Sequence, residues 1–226
     1  MPVYQLTDEL IFPHPGLAEH DGLLAIGGDL SIDRLLLAYS NGIFPWYDEN
    51  SPIMWWVLNP RMVLYPEKLK VSKSLRQTLN SRRFDVFFDK DFKSVIRQCA
   101  NSKRHSQTET WITKDMEQAY VDLHNEGFAH SVETYYKGEL VGGLYGVSLG
   151  RIFFGESMFF TRSNASKVAF HALVERLITW NFDLIDAQQD TPHLRSMGAG
   201  LLPLNDFLEI LEKSLNHPTK KGNWGI

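Results

Sequence analysis

Two short segments place polar groups where a strand would bury them: GESMFF at residues 155–160 and LIDAQQD at 184–190. Each interrupts an apolar run with a carboxylate or a carboxamide. By strict alternation Asp186 and Gln188 share one strand face and Ile185 takes the other, unless a bulge intervenes. A carboxylate buried there must be hydrogen-bonded, paired or functional, because an unpartnered charge in an apolar interior is costly. Such a set suits the handling of a proton or the positioning of a substrate. The plainer use is to fasten neighbouring loops with Asp186 and Glu156. On pattern alone the two uses stand level.

Other chemistries lack their patterns. There is no G-x-S-x-G turn to expose a nucleophilic serine. The eight histidines are scattered without ligand spacing, so no metal is expected. Cys99 is the one cysteine, which excludes an internal disulfide and a cysteine metal cluster and reads as a small buried apolar residue. GLLAIGGDL (22–30) is glycine-rich but lacks the spacing of a dinucleotide fingerprint. VGGLYG (141–146) sits in a sheet-like stretch, where small residues permit close backbone approach or a bulge.

The elements that must hold Glu156, Asp186 and Gln188 can be read from periodicity. Residues 129–136, 140–148 and 151–160 form a meander whose turns, YKGEL and SLGR, have hairpin chemistry. A strong helix follows to about residue 181, capped by Ser163 or Asn164. A short strand at 184–188 comes next, and Pro203 starts a last helix over 204–215. Upstream, 61–65 and 84–88 read as strands, and 72–79, 89–100 and 113–125 as helices, the last capped by Thr113 and ended by Gly127. Residues 1–60 form a compact, irregular unit rich in Gly, Pro and aromatics, with one helix near 29–41 capped by Ser31 and closed by Gly42. The tail after residue 215 is expected to be loose, apart from a docking of Trp224. The fold class is therefore α+β, with a small N-terminal domain over 1–60 and a larger mixed domain over 61–226.

The chain has 226 residues and a net charge of −4, a poor balance for a nucleic-acid binder. The distribution says more than the sum. Residues 61–110 hold twelve Lys and Arg against five Asp and Glu, a local excess of +7 that leaves −11 for the rest. A basic face of this kind can hold phosphates on an acidic molecule, or be only an uneven solvated surface. No segment approaches the length of a membrane span, and residues 1–17 lack a basic start followed by an apolar run. Neither a membrane nor secretion is expected, and the cytoplasm is the simplest compartment.

Long ordered strings carry a resemblance beyond these patterns: GLLAIGGDLS (22–31), LLLAYSNGIFPWY (35–47), MWWVLNPR (54–61), TWITKDMEQAYVDLHNEGFAHSVE (110–133), LVGGLYGVSLGRIFFGESMF (140–159), NASKVAF (164–170), LIDAQ (184–188) and LRSMGA (194–199). The sequence resembles the leucyl/phenylalanyl-tRNA-protein transferase family over nearly its whole length. The resemblance implies a small N-terminal domain and a GNAT-like acyltransferase domain with a mixed, mostly antiparallel sheet flanked by helices. It also implies transfer of Leu, Phe or Met from aminoacyl-tRNA to proteins beginning with Arg or Lys, marking them for degradation. No cofactor is implied, because the aminoacyl ester is already activated, and a monomer needs no further assumption.

Carried onto this chain, the family pattern implies an amino-acid pocket walled by Tyr120, Leu144, Gly155, Met158, Phe170, Leu173, Leu177 and Ile185. Trp46 and Trp111 would stack on the terminal adenosine. Asp186 and Gln188 match the proposed catalytic pair, with Asp186 orienting Gln188 and the carboxamide oxygen receiving the ammonium hydrogen bond. Positioning is more credible than proton abstraction, since an amide is a poor base. Glu156 would bind the acceptor's basic first residue or hold the site together. Lys73, Arg76, Arg82, Arg83, Lys90 and Arg97 would contact the tRNA phosphates. Two rivals compete. An acetyl-CoA-dependent acyltransferase would need a pyrophosphate-binding turn where this chain has TRSNASK (161–167). A non-enzymatic tRNA- or peptide-binding module would not need Asp186 and Gln188 together.

Overall fold

The computed structural model describes residues 3–102 and 112–225. The described residues build two sheets. The smaller has the order β1 (Tyr4–Leu6), β2 (Leu23–Gly27), β4 (Met54–Trp56), β3 (Phe44–Pro45) and carries α1 (Ile32–Ser40). The larger runs β11 (Gly200–Leu202), β5 (Arg61–Leu64), β10 (Leu184–Gln188), β9 (Ile152–Phe160), β8 (Glu139–Leu149), β7 (Ala129–Tyr136), β6 (Asp85–Phe88). Its pairs are antiparallel except β9 with β10. The other α-helices among the described residues are α2 (Lys73–Asn80), α3 (Phe92–Asn101), α4 (Lys114–Asn125), α5 (Ala165–Thr179), α6 (Pro192–Ser196) and α7 (Leu204–Leu215). This is the expected α+β class, with a mixed, mostly antiparallel sheet flanked by helices.

Alternation along the strands fills the two faces of the large sheet. Leu144 of β8 and Phe153 of β9 turn toward α5 with Phe170, Leu173 and Leu177. Their neighbours Tyr145 and Phe154 turn the other way, toward α3, α4 and α1. That second core is continuous with the small sheet, since Leu24, Leu35, Tyr39 and Trp55 belong to it. Gly142 lets α5 approach β8, because a Cβ there would lie 2.6 Å from the Ala165 Cβ.

Most elements fall where the periodicity put them, with several differences. The first 60 residues contain a sheet as well as a helix; its strands of two to five residues are too short to show a period. The helix expected from residue 89 starts at Phe92, because Asp89 takes φ +52° in the preceding turn and Asp91 caps the helix instead. Asn164 occupies the N-cap of α5, but its carboxamide donates to Thr78 Oγ1 at 2.9 Å and ties α5 to α2. The tail is held beyond the expected docking of Trp224: Thr219 Oγ1 accepts the Gly150 N–H at 2.9 Å, and the Gly222 N–H donates to the Gly127 carbonyl at 3.2 Å. Trp224 is 3% exposed, stacks on His130 at 3.8 Å, and its backbone N–H donates to Asp89 at 2.8 Å. The chain passes from the small sheet to the large one between Trp56 and Arg61, and one core runs beneath both sheets.

Candidate active site

The site opens where the parallel pair β9 and β10 stops pairing. Their register ends at Asp186 opposite Phe154. Beyond it each strand bulges. On β9, Ser157 faces Tyr145 and Gly155 faces Gly146, so Glu156 is the extra residue. On β10, Asp186 faces Val63 and Gln188 faces Met62, so Ala187 is the extra residue. A bulge bends its strand and re-aims a side chain. Two bulges on neighbouring strands leave a cavity of about 370 Å³ between them.

The second bulge overturns the simple alternation of Asp186 with Gln188. Ile185 and Gln188 both line the cavity, whereas Asp186 is fully buried beside it. Gln188 takes φ +52°, and the Gln189 N–H donates to the Ala187 carbonyl at 2.6 Å. This three-residue turn is a strained conformation for a residue with a side chain. Asp186 supports it: its Oδ1 accepts the Gln188 N–H at 3.0 Å. Arg61 holds the same carboxylate through Nε at 2.9 Å and Nη2 at 2.7 Å. The Gln188 carboxamide donates to Glu156 Oε1 at 3.3 Å.

Glu156 is the second polar centre. Tyr39 donates to its Oε1 at 2.8 Å and Tyr120 to its Oε2 at 2.9 Å, and the two phenols also contact each other. Burial pushes the Glu156 carboxyl up from 4.5 to about 7. The tyrosine hydrogen bonds and Arg61 pull the other way, and the charge of Asp186 adds to the rise. Burial, with Glu156 close by, holds both tyrosines well above their ordinary value. Glu156 is thus poised to change charge near neutrality.

The remaining expected residues fall into groups. Leu144, Gly155, Met158, Phe170, Leu173 and Ile185 line the cavity, and so does Trp46. Tyr120 and Leu177 stand behind that lining, Tyr120 under Glu156 and Leu177 in the core beneath α5. Trp111 lies outside the described residues. Lys73, Arg76, Arg82, Arg83, Lys90 and Arg97 are all exposed on or near α2, β6 and α3. Arg97 is already engaged by Glu117 at 2.7 Å, and Lys90 sits over Phe87 at 3.8 Å. Arg61, counted in the basic run, is fully buried and contributes nothing to a basic surface. Sequence reasoning missed the roles of Tyr39, Phe44 and Arg61 and left His193 among scattered histidines. The one signal for Arg61 was a charge heading an otherwise apolar strand.

Comparison with known proteins places the chain in a family. The family model described as leucyl/phenylalanyl-tRNA protein transferase matches residues 63–212, and the model of its N-terminal domain matches residues 28–57. The chain belongs to this family. The leucyl/phenylalanyl-tRNA–protein transferase of Desulfatibacillum aliphaticivorans is 55% identical over 226 residues, covering 100% of this chain and 97% of that protein. The enzyme of the same name from Syntrophobacter fumaroxidans is 54% identical, over 99% of this chain and 96% of that protein. Among solved structures, L-PGS from Bacillus licheniformis aligns at TM-score 0.41 and 12% identity, over 85% of this chain and 64% of that one. A GCN5-related N-acetyltransferase from Kribbella flavida aligns at TM-score 0.39 and 10% identity, over 73% of this chain and 58% of that one. Likenesses of that size decide neither fold nor activity. Among the described residues, no helix is long and apolar enough to cross a membrane.

Proposed function

We propose that this chain is an aminoacyltransferase that moves Leu or Phe, and also Met, from aminoacyl-tRNA to the α-amino group of proteins beginning with Arg or Lys. The peptide bond so formed marks those proteins for degradation in the cytoplasm. The observation that carries the reading is one cavity lined by the apolar wall, the Gln188 turn, Glu156 and the ring of Trp46. An apolar side chain gains on the order of 2 kcal/mol by entering such a wall, and Met158 adapts to the different shapes of Leu and Phe. Trp46 stacks on the terminal adenosine, worth about 1–3 kcal/mol.

The aminoacyl ester needs no further activation, so neither a covalent enzyme intermediate nor a cofactor enters. The α-amine, with a reference pKa near 8, gives one proton to solvent, is held by the carboxamide oxygen of Gln188 and attacks the ester carbonyl; the C–N bond forms as the ester C–O bond breaks, and the departing tRNA hydroxyl takes the second proton of the amine. Asp186 orients the turn, and Glu156 meets the cationic first residue of the acceptor. Lys73, Arg76, Arg82, Arg83 and Lys90 hold the acceptor-stem phosphates, with Arg97 contributing once released from Glu117. The unit over 1–60 supplies Trp46 and the larger one the transfer site. The chain works as a monomer.

The test uses labelled Leu-tRNA with an acceptor protein beginning with Arg, and in parallel the same protein beginning with Ala. Label reaching only the Arg-started acceptor establishes reaction and acceptor rule together. Tight tRNA binding with no transfer to either acceptor would replace this reading with that of a binding module.

A further inference from the structure

Asp186 is in contact with the turn that carries Gln188, yet it does not line the cavity. What it faces instead is Arg61. The guanidinium is fully buried and gives the carboxylate two parallel hydrogen bonds, at 2.9 and 2.7 Å. Its Cζ lies over two rings, Phe44 of β3 at 4.8 Å and Phe207 of α7 at 4.9 Å. Phe44 is itself part of the cavity lining. The third nitrogen, Nη1, is buried without a hydrogen-bond partner.

A buried ion pair of this kind is a weak source of stability, since the desolvation of both charges offsets most of the attraction. An unsatisfied guanidinium nitrogen lowers its worth further. Its geometry is better suited to fixing a direction: a planar fork packed against two rings has little freedom to turn, and a bidentate carboxylate inherits its orientation. Asp186 Oδ1 then meets the N–H of Gln188, whose left-handed backbone would otherwise relax toward an ordinary strand.

We propose that Arg61 is a positioning residue for the transfer step: packed against Phe44 and Phe207, it makes Asp186 a fixed strut that holds the Gln188 turn aimed into the cavity. This deepens the transfer reading and rests on it for its kinetic consequences. Arg61 touches no substrate. Asp186 acts on the reaction through a backbone N–H and takes no proton. The small sheet thereby reaches the reactive turn through Phe44, and α7 reaches it through Phe207.

The experiment compares the wild-type chain with Arg61→Lys, Gln188→Ala and the combination. Single-turnover transfer from Leu-tRNA to an Arg-started peptide is read beside equilibrium binding of Leu-tRNA. An ammonium cannot form the fork, so Arg61→Lys is expected to slow transfer about 100-fold while tRNA affinity stays within about threefold. In the Gln188→Ala background the same change is expected to add less than about twofold, because the strut then has nothing to aim. The Arg61→Leu/Asp186→Leu pair removes both charges and is expected to fold, yet to transfer only as slowly as Gln188→Ala. Hydrogen exchange over residues 184–190 reads the strut without activity: protection of the Gln188 N–H is expected to fall about 100-fold in Arg61→Lys. The proposal is overturned by wild-type transfer in Arg61→Lys or in the double-Leu chain, by additive losses with Gln188→Ala, or by unchanged protection. A wild-type chain that transfers nothing overturns the transfer reading, and the exchange result then decides on the strut alone.

Discussion

Along one side of the cavity, Leu144, Met158, Phe170, Leu173 and Ile185 present a continuous apolar wall whose backing is the core beneath α5. Along the other, Gln188 and Glu156 stand on bulged strand ends, tied to each other, Glu156 to Tyr39 and Tyr120, and Gln188 to Asp186 and through it to Arg61, by hydrogen bonds of 2.7–3.3 Å. The wall sits on regular pairing and helical packing, and the polar side exists only where pairing fails. The wall is therefore expected to tolerate changes of shape at a graded cost. The polar side should fail abruptly, because each group there depends on another to stay satisfied.

The largest expected effect breaks the polar side. Asp186→Ala leaves Arg61 buried without its partner, which should cost about 3–5 kcal/mol in urea unfolding. It should also slow transfer by about 100-fold as the turn loses its support. A milder loss on both measures would mean that the turn holds itself. On the wall, Leu173→Ala is expected to destabilise the chain by about 3 kcal/mol. The enlarged pocket should also shift kcat/KM from Leu-tRNA toward Phe-tRNA by about tenfold. If all substrates instead slow equally, Leu173 is only core.

The third prediction concerns pH. The folded carboxyl of Glu156 lies near 7, above its ordinary 4.5. An acid whose pKa rises on folding stabilises the protein while protonated in both states. That contribution is fully present below about 4.5 and is lost as pH climbs through 7. The loss should come to about 2–3 kcal/mol for this partly screened group. Glu156→Gln, which stays neutral, should not show that decline when urea unfolding is followed from pH 4 to 8. Parallel curves for the two proteins would remove Glu156 as the titrating group. The smallest effects belong to the exposed cations. Arg76→Ala should weaken aminoacyl-tRNA binding a few-fold and lower the salt slope by about 1. Arg97→Ala, which loses an exposed pair with Glu117, should change stability by less than about 1 kcal/mol.

The sequence alone determined the regular parts. Thr113 and Ser31 cap the helices they were assigned, β10 spans Leu184–Gln188, and α7 spans Leu204–Leu215 behind Pro203. These signals are local: a cap, a period or a proline acts within a few residues, so one stretch of chain suffices to read them. The apolar wall had no such local signal: it was implied by the family resemblance, and most of it lay in the strings that carried it. Tertiary structure decided the rest. Periodicity could not show that Glu156 and Ala187 are bulge residues, because a bulge is defined by the strand opposite. It could not show that Arg61, 125 residues before Asp186, leaves the basic surface to become its partner. Nor could it seat Trp224 against Asp89 and His130. Each of these depends on groups distant in sequence meeting at low dielectric, where an unpaired charge is too costly to leave alone, and only the folded chain determines which pairs meet.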